Sequence, residues 1–243
     1  MPIIHDRKLV FQHIPKTGGM ALLDCLGVSG GGHQHLSYYM RQIHAAGLDP
    51  HLSFTVLRDP VERFRSAMAM YMYPPEDQLA NTLFLRVRER NIDLFDRDDV
   101  NDSINLESVS RLCGDAEAPH FHSIISFICH RTDIDGITAE RPTEDIMDNM
   151  VITPPSCVLQ YERLDLDWQI FTECLGIEAG PIIKKVNASH RKPTFTDESI
   201  AAIQQMYRYD YQLINHLLSD CHVSLDVIKA GLKQFSAEQK LRT

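Results

Sequence analysis

Residues Val10–Leu22 read Val-Phe-Gln-His-Ile-Pro-Lys-Thr-Gly-Gly-Met-Ala-Leu. An apolar run ends in Pro-Lys-Thr-Gly-Gly, and a helix-like stretch follows. That order is a strand, a turn able to cradle a phosphate, and a helix. Gly18 and Gly19 allow tight backbone geometry and close approach of a ligand. The helix start offers unpaired N–H groups and a positive dipole end to an anion. Lys16 and Thr17 add a mobile cation and a hydroxyl donor. The segment reads as a seat for phosphate or sulfate. It is not a Walker A loop, which places a Gly well before the Lys and Ser or Thr directly after it. Here Lys16-Thr17 precedes both glycines and no Gly lies upstream. An ordinary strand-to-helix turn can carry the same residues, so this segment alone does not decide the function.

A second segment has the same layout. Ser53–Tyr73 reads Ser-Phe-Thr-Val-Leu-Arg-Asp-Pro-Val-Glu-Arg-Phe-Arg-Ser-Ala-Met-Ala-Met-Tyr-Met-Tyr. Phe54–Leu57 is a short run of the buried-strand type. Arg58-Asp59-Pro60 ends it, because Pro cannot continue a central strand. Val61–Tyr73 then has helical character, with Val61, Phe64, Met68 and Tyr71 on one apolar face. An Arg fork at the strand end and the Ser66 hydroxyl on the helix suit a terminal phosphate. The competing reading pairs Arg58 with Asp59 at a turn and leaves Arg63 and Arg65 in water.

Together the two segments resemble sulfotransferases, specifically the carbohydrate (type 2) branch in a small bacterial-type form. His13-Ile14-Pro15-Lys16-Thr17-Gly18-Gly19 looks like the family's 5′-phosphosulfate loop. Arg58-Asp59-Pro60-Val61-Glu62-Arg63-Phe64-Arg65-Ser66 looks like its 3′-phosphate motif. The similarity is strong over about residues 8–73 and weaker over about 156–218. It implies the donor 3′-phosphoadenosine 5′-phosphosulfate (PAPS), no metal, and transfer of a sulfuryl group to a hydroxyl of a carbohydrate or glycolipid. In that reading Lys16 stabilises the bridging oxygen as the S–O bond breaks. Thr17, Gly18 and Gly19 hold the same group, while Arg58 and Ser66 hold the 3′-phosphate. Met20 departs from the pattern, where Thr or Ser commonly follows the glycines, so one hydroxyl contact is missing.

The acceptor hydroxyl benefits from a base, and histidine suits that role near neutral pH. Gly32-His33-Gln34-His35-Leu36 lies between the two motifs, where the family often has a His. His35 is the first candidate and His33 the second, with Glu62 as a carboxylate alternative. His13 reads as support for the loop. The basic stretch Asn187–Pro193 resembles a segment that closes over the donor, which makes Arg191 and Lys192 candidates for the 3′-phosphate or adenine. Asp210-Tyr211 and Tyr161-Glu162-Arg163-Leu164 also look family-like, the latter as a cap on a strand-to-helix turn. Trp168 reads as core. Two other classes compete: a P-loop-type nucleotide-dependent phosphotransferase, and a non-catalytic donor-binding module.

The remaining chain bounds these readings. With 243 residues, 44% of them hydrophobic, it has enough for a core. We expect a single domain over 1–243, with a mostly helical insertion at about 74–150. A net charge of −9 argues against a general nucleic-acid binder. The N-terminus lacks a signal-peptide core, and no apolar stretch is long enough to span a bilayer. The six cysteines are dispersed with no Cys-x-x-Cys, which suggests reduced thiols and a cytoplasmic location.

Strands are expected at Lys8–Ile14, Ser53–Leu57 and Ser156–Gln160. Helices are expected at 19–26, 37–46, 61–73, 76–90, 105–113, 119–131, 144–149, 164–175, 197–218 and 224–238, with an exposed acidic loop at 91–103. Strands alternating with helices argue for an α/β fold, a P-loop-like three-layer arrangement with a central parallel sheet flanked by helices. Ligands of such sheets sit outside the carboxyl ends of the strands, where both motifs fall.

Overall fold

Three parallel strands place the two motifs side by side. β2 (Leu9–Gln12) pairs with β3 (Leu52–Leu57), and β3 pairs with β6 (Cys157–Gln160). A short β1 (Ile3–Ile4) adds an antiparallel edge beside β2, so the sheet runs β1-β2-β3-β6. The computed structural model describes residues 3–4, 8–28, 36–48, 52–74, 81–95, 104–130, 151–152, 155–178, 180, 182 and 192–222.

The strand residues are mostly apolar and almost wholly buried because helices cover both faces. On one face Phe11, Phe54, Val56 and Leu159 pack under α1 (Gly19–Cys25) and α8 (Leu164–Leu175). On the other, Leu57 and Val158 meet α7 (Ile125–Ile128) and α10 (Arg208–Cys221). The alternation follows the two-residue period of a strand. Val10 takes part in a smaller cluster with Tyr39 and Ile43 of α2 (Leu36–Ala45). Trp168 is buried in the core, as expected. The described chain is thus a mostly parallel four-stranded sheet flanked by helices.

A second core lies away from the sheet, on α3 (Pro60–Met72). It gathers α4 (Thr82–Arg90), α5 (Ile92–Phe95), α6 (Leu106–Gly114), the 3₁₀ turn Pro119–Phe121 and α9 (Asp197–Met206). Tyr71 stacks on Phe84, Phe95 and Phe121 at ring distances of 4.5, 5.0 and 5.5 Å. All four apolar-face residues expected of α3 (Val61, Phe64, Met68 and Tyr71) are buried. The described part of 74–150 is mainly helical, with one two-stranded ladder between β4 (Cys129–His130) and β5 (Val151–Ile152).

Local signals set many boundaries. Asp59 caps α3 by accepting from the Glu62 N–H at 3.0 Å, and Pro60 occupies the first turn, where its missing donor does no harm. Gly176 ends α8 in the left-handed conformation at φ 62°.

Three expectations are overturned. The acidic 91–103 stretch is not all exposed loop, because α5 buries Leu94 and Phe95 against Tyr71. The single helix expected over 119–131 is a 3₁₀ turn, the four-residue α7 and β4. The cause is Asp210, whose carboxylate accepts from the Ser123 hydroxyl and from the Ile124 N–H at 2.9 Å. The single helix expected over 197–218 breaks at Tyr207 into α9 and α10. The Tyr207 ring is buried, its hydroxyl donating to the Phe121 carbonyl and accepting from Cys113 Sγ. The expected helices at 144–149 and 224–238 lie outside the described residues.

Candidate anion site

The carboxyl ends of β2, β3 and β6 deliver Lys16, Arg58 and Tyr161 to one edge of the sheet. Pro15 follows β2, and Lys16 then turns the chain with φ 65°, a conformation uncommon outside Gly. Gly18 follows at φ 85° and starts α1. The Thr17 hydroxyl donates to the Ile14 carbonyl at 2.9 Å and closes the turn from within. Gly19 has no room for a side chain: a Cβ there would lie 2.2 Å from His13 Cδ2 and 2.9 Å from Phe11 Cζ. His13 is buried and stacks on Phe11, the loop-supporting place expected of it. At 7 residues, α1 is too short to carry the anion argument on its dipole. The weight falls on the side chains.

Arg58 is only 5% exposed. Its Nη1 donates to the Lys16 carbonyl at 3.1 Å. Its guanidinium lies over the Tyr161 ring, 4.1 Å from the centroid. The Glu62 carboxylate stands 3.9 Å from Nη2, and Nε has no hydrogen-bond partner among the described residues. Burial lowers the Arg58 pKa, opposed by Tyr161, Glu62 and Glu162. Arg58 therefore does not simply pair with Asp59. Asp59 is taken up by the cap, by the Tyr211 hydroxyl at 3.2 Å, and through its N–H by Glu162 at 3.1 Å.

The Lys16 ammonium rests 3.5 Å from Met70 Sδ. Burial, and then the nearby Arg58 charge, push its pKa down to about 8. No carboxylate among the described residues acts to raise it. Ser66 lies one helical turn before Met70, on the same side of α3. The fold thus brings Lys16, Arg58 and the Ser66 face of α3 together. Glu62 is held by Arg65 as well as facing Arg58, a poor setting for a free base.

Met20 is exposed at the mouth of the turn, and Lys192 is also exposed. His33, His35 and Arg191 lie outside the described residues. Arg63 is not in water. It is fully buried, donates to the carbonyls of His120 and His122, and lies over Tyr207.

Two contacts escape the motif reading: the Tyr161 ring, read only as part of a turn cap, is the platform under Arg58, and Met70 is the rest for Lys16. Tyr161 had a signal, since it follows a third buried strand as Arg58 follows the second. Met70 had none beyond its place on an apolar helix. Among the described residues no helix is long and apolar enough to cross a membrane, and no group of His, Cys, Asp and Glu gathers as metal ligands. No family model matches the chain, and no curated protein or solved structure matches it.

Proposed function

We propose that this chain is a sulfotransferase resembling the carbohydrate branch. It would move a sulfuryl group from PAPS to an acceptor hydroxyl, most naturally of a carbohydrate or glycolipid. The observation that carries the proposal is the junction of the two motifs: the Arg58 guanidinium bonded to the carbonyl of Lys16 at the carboxyl edge of parallel strands. Two cations with few carboxylates around them suit a ligand with two anionic groups. The P-loop-like three-layer arrangement belongs to the same proposal.

In this reading the acceptor oxygen attacks sulfur while the bond from sulfur to the phosphate oxygen breaks. Charge grows on that leaving oxygen, and stabilising it lowers the barrier. Lys16 is suited to the task, because a lowered pKa makes it a readier proton donor to the leaving oxygen. Arg58 and Ser66 would hold the 3′-phosphate, and the Thr17–Gly19 turn the transferring group. Arg191 and Lys192 would close over the donor. The acceptor proton goes to His35 or His33.

Calorimetric titration with adenosine 3′,5′-bisphosphate in metal-free buffer tests the donor site. Wild type should bind it in preference to ADP. Arg58→Ala and Lys16→Ala should each lose at least about tenfold, the worth of one charge-assisted hydrogen bond. Equal binding of ADP with a Mg²⁺ requirement would favour the phosphotransferase, and no binding would remove the donor site altogether. Tight binding without sulfation of any carbohydrate acceptor would point to the non-catalytic module.

A further inference from the structure

The donor-site reading gives Arg58 one task, contact with a phosphate. Its surroundings show another, which deepens that reading. One arm of the guanidinium is already committed to the Lys16 carbonyl at 3.1 Å. That carbonyl belongs to a residue with φ 65°, which a lysine seldom adopts unless its surroundings impose it. The Tyr161 ring, just past the end of β6, supports the guanidinium and also crowds Gly18, where a Cβ would lie 2.9 Å from Tyr161 Cε2. Arg58 thus bridges the strained turn and the ring that confines it.

We propose that Arg58 is a positioning residue for Lys16: its guanidinium holds the Lys16 carbonyl, fixes the turn, and sets where the ammonium stands. A lysine at position 58 would keep the charge but not the planar fork that reaches the carbonyl from above the ring. The Arg58 charge acts directly on Lys16, and no other charged group among the described residues does so. Tyr161, Glu62, Glu162 and Arg63 act on Arg58 instead. Met70, the α3 group against the ammonium, is uncharged. The two motifs are therefore coupled before any anion arrives.

Two measurements on the ligand-free full chain test this in wild type, Arg58→Lys and Arg58→Gln. Trace labelling with acetic anhydride, read by peptide mass spectrometry across pH, gives the titration midpoint of the Lys16 amine. Hydrogen exchange gives the protection of the Lys16–Gly19 turn. The wild-type midpoint should fall near the lowered value of about 8. In Arg58→Gln it should move up part of the way, because burial, the larger cause of the lowering, remains, and in Arg58→Lys it should stay low. The turn should exchange about tenfold faster in both variants while β2 and β3 stay protected, as expected for losing one charge-assisted hydrogen bond.

An unmoved midpoint in Arg58→Gln, or a turn as protected as wild type in both variants, overturns the inference. Arg58→Lys keeps the buried charge and so guards against simple loss of the fold. Neither measurement uses a nucleotide. Failure to bind the bisphosphate would bear on the proposed function alone.

Discussion

Lys16 illustrates how a buried cation can burden the protein that carries it. Its folded pKa is lowered from 10.5 to about 8, so the unfolded chain holds more protons in the interval between. Stability therefore rises with pH across that interval, and the burden of the buried charge is full below about 8. Lys16→Met should raise the melting temperature at pH 7 while abolishing bisphosphate binding, as calorimetric melts and titrations would show. Loss of stability instead would mean that the Met70 contact favours the fold. Anion binding has the opposite sign, because a bound anion favours the charged amine. Bisphosphate affinity should be level below about pH 8 and fall above it, and a flat profile to pH 9.5 would remove Lys16 from the contact. At Gly19, substitution by Ala drives a methyl into His13 and Phe11 and should cost about 1–3 kcal/mol by urea melts.

At the scale of elements, α3 is the joint between the candidate site and the helical core. Arg63 on this helix donates to the His120 and His122 carbonyls, and its charge opposes the burial that raises the Asp210 pKa. Asp210 in turn shapes the Ser123–Ile124 turn. Arg63→Met should cost about 1.5–3 kcal/mol, because it strips the His120 and His122 carbonyls of a charged donor and removes the charge that offsets the burial of Asp210. Adding Asp210→Asn should recover part of that loss, and additive losses would separate the two residues. The Arg63 role was illegible in the motif, where it resembles any charged residue on a helix. Its partners lie 57 residues or more along the chain.

For the molecule as a whole, Asp167 ties the C-terminal end of α10 to the last strand. It is fully buried and accepts from the Gln160 N–H at 2.7 Å and from His222 Nε2 at 3.0 Å. Arg163 Nε stands 3.2 Å from its other oxygen. His222 also bridges Val158 in parallel, extending the sheet beyond β6. Asp167→Ala should cost about 1.5–3 kcal/mol in denaturant melts, the range for a hydrogen bond to a charged group. A loss below the error of the melts would show that the end of α10 is held by its apolar contacts alone.

Short-range chemistry settles the strand–turn–helix units of this protein. Mostly apolar strands of four and six residues end shortly before Pro15 and Pro60, Asp59 caps a helix, and Gly176 ends one. Such signals act over a few residues, so they are readable in order along the chain. They also placed Lys16 and Arg58 at strand ends, which the parallel pairing then set on one edge. Only the tertiary structure decided what those residues touch. The Arg58 bond to the Lys16 carbonyl, the Tyr161 platform and the Met70 rest join segments far apart in sequence. The breaks at Ser123 and Tyr207 arise the same way, because a buried polar group must find a partner even where local propensity favours a continuous helix.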